Sequence, residues 1–172
     1  QLTKYWITTG KSPYSLKRTL YTVMNSVERH YTGNAPSYDE EGLLLPLLMH
    51  DWLNGKQSNQ QILTKLTNAI TQHQEWFANH IEQVVMLDFV NILFTPQKFI
   101  ATRTFIQKGI DLVKWCKKRG FKVYVLSNWD SESFNLLRTQ NPNIFNLFDG
   151  IIISGQHNCL KPNAELYQIL LN

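Results

Sequence analysis

The chain has 172 residues, with 17 basic against 13 acidic side chains and a formal charge of +4; 43% of its residues are hydrophobic and only 17% are charged. That balance excludes a disordered or low-complexity polymer and suffices for one domain, or a domain with a subdomain, around a packed core. The longest apolar run, Val84 to Phe94, is interrupted by Asp88 and Asn91 and is too short to span a bilayer, so no membrane partner is expected. Cys116 and Cys159 show no metal-ligand spacing and are too few for a disulfide scaffold, which points to a reducing, cytoplasmic setting. Gln1 in place of an initiator Met, with no apolar signal core after it, is what a fragment or processed chain without a secretion address would show.

In chain order, Leu16, Leu20, Val23, Met24 and Val27 recur at three and four residues, which predicts an amphipathic helix over 15–30 with Ser15 as its cap. Asp39-Glu40-Glu41 then precede Leu43 to Met49, where acidic residues favour a helix start and Pro46 is tolerated only in the first turn or at a kink. Asn54-Gly55 closes that segment, and Ser58 restarts a helix with the stripe Ile62, Leu63, Leu66 and Ile70. A third helical pattern runs unbroken from His73 to Phe94 until Thr95-Pro96 stops it. Residues 1–103 therefore read as a small all-helical unit.

From residue 104 the period changes. Ile106, Ile110, Leu112, Val113 and Trp115 make one more helix, ended by Gly120, and Phe121 to Leu126 follows at once as a strand. A short helix through Phe134, Leu136 and Leu137 leads to a second strand, Gly150 to Ile153, and a last helix is expected from Pro162 to Leu171. Such short helical connections predict parallel strands, buried on both faces, in a layered α/β sheet. The expected fold class is α/β, with residues 104–172 as a partial sheet core whose two strands leave edges uncovered.

In open α/β sheets ligands lie beyond the carboxyl ends of the strands. The first strand leads into Ser127-Asn128-Trp129-Asp130, while the second is followed by Ser154-Gly155 and then by Lys161-Pro162 at a helix start. The Ser127 hydroxyl, the amides after it and the Lys161 charge outline an anion site for a phosphoryl group or a carboxylate, with Trp129 placed to line its mouth. Taken singly, these motifs read as a helix cap and a surface turn; their order and their place at strand ends carry the functional reading. His30, His50, His73, His80 and His157 include one suggestive spacing, His73 to His80, without a carboxylate to complete a metal set, and they read as structural. The tryptophans are scattered, and the one basic cluster, Lys114, Lys117, Lys118 and Arg119, reads as the solvated end of a helix, so no nucleic-acid partner is expected.

Residues Thr104 to Leu171 resemble the haloacid dehalogenase superfamily of hydrolases. The match lies in Gly109 to Val113, Arg119-Gly120 with Val125-Leu126-Ser127-Asn128, Phe148-Asp149-Gly150, Ile153-Ser154-Gly155 and Lys161-Pro162. The resemblance implies a partial Rossmannoid parallel-sheet core, with residues 1–103 as the inserted helical cap of one subclass. It implies that Ser127 holds the phosphoryl group and that Lys161 neutralises nucleophile and substrate, with Asn128 and Trp129 as further substrate contacts. Leu47 to Gly55 would face substrate or pack the cap hinge, although core is the simpler reading for Asp51-Trp52-Leu53. The implied reaction is hydrolysis of a small phosphorylated or otherwise anionic substrate through an aspartyl intermediate with magnesium.

The family's first motif, with its aspartate nucleophile, and its fourth, with acidic metal ligands, have no counterpart between Gln1 and Asn172. Gln156 and Asn163 also replace the usual acidic residues of the third. The chain is therefore expected to be an incomplete fragment, inactive alone. Two alternatives stand beside the phosphatase: a 2-haloacid dehalogenase, which uses the same serine and lysine without metal, and a non-catalytic remnant that binds a partner or a second copy through exposed sheet edges. Asp88 ends an apolar run ahead of Ser127, but it lacks the following glycine and Val90 stands where a second acid belongs, so it reads as a helix residue.

Overall fold

The computed structural model describes residues 13–27 and 46–172. The acidic run Asp39-Glu40-Glu41 and the expected cap of Ser15 lie outside the described residues and side chains. What is described is a mostly helical α/β chain, with ten α-helices and a two-stranded parallel sheet among the described residues. The described residues divide into two compact units, one of residues 13–27, 46–51 and 59–95 and the other of residues 52–58 with 96–172.

In the first unit lie α1 (Pro13–Val27), the start of α2 (Leu47–Leu53), α3 (Asn59–Gln72), a 3-10 turn (Gln74–Trp76) and α4 (His80–Phe94). The stripes predicted for α1 and α3 are the buried ones: Leu20, Val23 and Met24 on α1, and Ile62, Leu66 and Ile70 on α3, join Leu48, Met86, Val90 and Phe94 in the core. The pattern from His73 is not one helix. It breaks at Phe77, whose backbone is extended, and α4 starts afresh under Asn79, whose side-chain oxygen accepts from the Glu82 amide at 3.0 Å while the Glu82 carboxylate accepts from the Ala78 amide at 2.8 Å. These two bonds satisfy amides that an uninterrupted helix would have paired internally, so the break costs little. Asp88 is half-buried in the middle of α4, in keeping with its reading as a helix residue. Thr95 ends α4 as expected, but Pro96 opens another helix rather than a loop, because its fixed φ suits a first helical position.

The second unit holds α5 (Pro96–Ala101), α6 (Gln107–Lys118), β1 (Tyr124–Ser127), α7 (Ser131–Gln140), α8 (Pro142–Phe145), β2 (Gly150–Ile153), α9 (Ser154–His157) and α10 (Ala164–Leu171). The strands are parallel, in register from Tyr124 opposite Gly150 to Ser127 opposite Ile153. Ile100, Phe134, Leu137, Phe145 and Ile153 form the core, flanked by Phe99, Val125, Trp129 and Ile151. The strands are less covered than predicted: Ile153 is fully buried but Tyr124 is 42% exposed. The neighbouring α6 is thinly covered as well: it buries none of its residues, and Leu112 and Trp115 are open. The first strand also begins at Tyr124 instead of Phe121, and Phe121 is exposed. Residues 52–58 belong here although they sit within the predicted helical cap; Trp52 is buried and meets Phe99 edge-on, with ring centroids 6.2 Å apart.

Candidate functional site at the strand ends

At the carboxyl end of β1 the chain turns through Asn128 and Trp129 into α7, which Asp130 caps. The Asp130 carboxylate accepts from the Ser133 amide at 2.8 Å and from the Ser133 hydroxyl, and the residue is buried. The Trp129 indole donates to the same hydroxyl at 3.2 Å and lies edge-on between Phe99 and Phe134, each 5.8 Å away. Its ring is therefore fixed by one hydrogen bond and two aromatic neighbours.

The two strand-end loops are sewn together. Ser154, fully buried, accepts from the Trp129 amide at 3.0 Å and donates to the Leu53 carbonyl at 2.6 Å, while the Gly155 amide donates to the Trp129 carbonyl at 3.1 Å. Ser131 donates to the Gly155 carbonyl. The approach demands glycine: Gly55 has φ +80° and a Cβ there would sit 2.3 Å from the Gly155 carbonyl oxygen, and one on Gly155 would sit 2.8 Å from the Ser131 nitrogen. Leu53 and Gly55 thus enter this junction through their backbone, although Leu53 is half-buried and Gly55 is exposed, with only Asn54 of the three buried.

Asn128 joins the Ser127 loop to Lys161. Its amide nitrogen donates to the Lys161 carbonyl at 3.1 Å and its amide oxygen accepts from the Lys161 N–H at 2.8 Å. Ser127, Asn128, Trp129 and Lys161 are all half-buried. Ser127 and Trp129 help line a pocket of about 310 Å³ with Arg103, Phe105, Phe134 and Phe145, and the Arg103 guanidinium lies 4.1 Å over the Phe99 ring. Asn128 turns to Lys161 instead. The strand ends therefore offer a hydroxyl at the edge of an aromatic pocket and a lysine whose backbone is tied to the same loop.

Gln156 and Asn163 serve local structure: Gln156 donates to the Asn135 side chain at 3.1 Å, and Asn163 caps α10 by accepting from the Glu165 amide at 3.0 Å. Among the described residues no group of three or more His, Cys, Asp or Glu is placed to hold a metal. With Asp130 committed to its cap, Ser127, Asn128, Trp129 and Lys161 offer no anionic oxygen and do not by themselves fit the octahedral shell of magnesium. At the opposite ends of the strands, Lys117 reaches Asp149 at 2.5 Å and the Val123 amide donates to the same carboxylate at 2.7 Å. The Lys117 hydrogen bond, then the Val123 amide, hold the Asp149 carboxyl below its ordinary range. Burial raises the Cys159 thiol, so it stays a neutral core side chain.

Compared with protein-family models, with curated proteins and with solved structures, the chain finds a match in none of the three. The chemistry rests on the residues themselves. The sequence reading noted Ser154 at a strand end but not its joining role, and it missed the clamping role of Asn128; a hydroxyl directly after an all-apolar strand was the available signal for Ser154, since a buried hydroxyl must find partners.

Proposed function

We propose that this chain is the helical cap and part of the sheet core of a haloacid dehalogenase-like hydrolase, and that the protein it builds hydrolyses a small phosphomonoester in the cytoplasm. The observation that supports this reading is the pair of hydrogen bonds by which Asn128, next to Ser127, holds Lys161 at the carboxyl ends of two parallel strands. Ser127 donates to a phosphoryl oxygen and Lys161 offsets its charge. The aspartate nucleophile and the carboxylates for magnesium belong, in this reading, to segments other than those described.

Calorimetry of the chain with inorganic phosphate is expected to show saturable binding that Lys161→Ala weakens about tenfold and Ser127→Ala weakens less. Absent binding, or binding unchanged in both variants, overturns the reading. Tighter binding of 2-chloropropionate than of phosphate would favour the dehalogenase. A second reading, a non-catalytic fragment that pairs with a partner or a second copy, is favoured by exposed Ile106, Leu112, Trp115 and Phe121. Its signature is concentration-dependent sedimentation without phosphate binding.

A further inference from the structure

We infer that Asn128 is a positioning residue and not a substrate contact: its carboxamide clamps the backbone of Lys161 at two points, and it influences a bound anion only through where it places that lysine. The inference rests on the proposed role of Lys161 as the anion-binding cation.

A primary amide carries one oxygen acceptor and one NH2 donor group, and here each is spent on the same residue, the oxygen on the Lys161 N–H at 2.8 Å and the nitrogen on the Lys161 carbonyl at 3.1 Å. A carboxamide so placed imitates the peptide group of a neighbouring strand, and it ties two loops whose residues lie 33 apart in sequence. The flanks of Lys161 are also fixed. Leu160 is buried and its carbonyl accepts from the Asn163 amide at 2.8 Å, and Asn163 in turn caps α10. Lys161 is thus a root held on both sides and clamped in the middle, from which a flexible four-carbon stem carries the charge. Rotation of that root would swing the ammonium away from a bound oxyanion, so the clamp preorganises the site without touching its ligand. Ser127 and Trp129, the neighbours of Asn128, line the aromatic pocket, so within three consecutive residues only Asn128 is spent on Lys161.

The test is a double-mutant cycle with inorganic phosphate, read by calorimetry, on the wild-type chain, Asn128→Ala, Lys161→Ala and the double variant, joined to amide hydrogen exchange at Lys161. Asn128→Ala is expected to weaken phosphate about tenfold, the double variant to bind no more weakly than Lys161→Ala, and the Lys161 amide to exchange about tenfold faster while strand amides keep their rates. Additive losses would mean that Asn128 meets the anion itself, and an unchanged Lys161 amide would mean there is no clamp; either overturns the inference. Asn128→Leu, which matches the side chain in size and removes both polar groups, is expected to speed Lys161 amide exchange likewise and serves where the alanine variant does not fold; a wild-type rate there also overturns it. Should the wild-type chain bind no phosphate, the functional reading falls while exchange still decides the clamp, faster exchange upholding it and unchanged exchange refuting it.

Discussion

Asp130 and Asn128 stand two positions apart in one loop, and their polar atoms go to different ends. Asp130 is spent on the first turn of α7 and is lost to ligand chemistry, while Asn128 reaches across to Lys161. Residue type and place at a strand end singled out Ser127, which does close β1, whereas Lys161 lies beyond α9 and reaches the Ser127 loop only through the backbone bonds that Asn128 makes to it. The partner of Asn128 was not legible, since a side chain that bonds a backbone 33 residues away leaves no mark on local spacing. Asp149 shows the same limit at the other end of the strands. Its carboxyl titrates below the ordinary range in the fold, so the unfolded chain binds the proton more readily. The staple to Lys117 and Val123 therefore stabilises above the unfolded-state pKa and is lost as pH falls through the lower folded value. Asp149→Asn is expected to melt below wild type near neutral pH, with the gap closing below about pH 4. Melting curves across that range check this, and an equal gap at both ends contradicts it.

Among elements, periodicity located α1, α3 and β2, whose stripes or runs are bounded by clear breakers. It failed between His73 and Phe94, where apolar residues on both sides of the break keep helical spacing while the backbone does not. The sequence Asn79 to Glu82 held the corrective signal, a cap residue followed three positions later by an acid. Asn79→Ala is expected to destabilise the chain by about 1 kcal/mol in denaturant titrations, with Asn79→Asp nearly neutral. Equal losses in both variants would show that the hydrogen bond is not what starts α4. The late start of β1 has a different cause, because Phe121 and Lys122 read as strand by composition but face solvent beyond the ladder. The open face of α6 was equally hidden, since an amphipathic stripe predicts that something covers it and not what does.

For the whole molecule, the alternation of helix and strand made the parallel α/β arrangement legible, and no helix among the described residues is long and apolar enough to cross a membrane. The assignment of residues 52–58 to the second unit was not legible. Its anchor, the bond from Ser154 to the Leu53 carbonyl, spans 101 positions, and the glycine contact beside it depends on backbone proximity alone. The anion site proposed where the Ser127 loop meets Lys161 is open to an amide-resolved NMR titration of the chain with inorganic phosphate. Saturable shifts concentrated at residues 127–131 and 161–163 are expected. Shifts that are absent, or confined to the exposed basic end of α6 at Lys114, Lys117, Lys118 and Arg119, would contradict it.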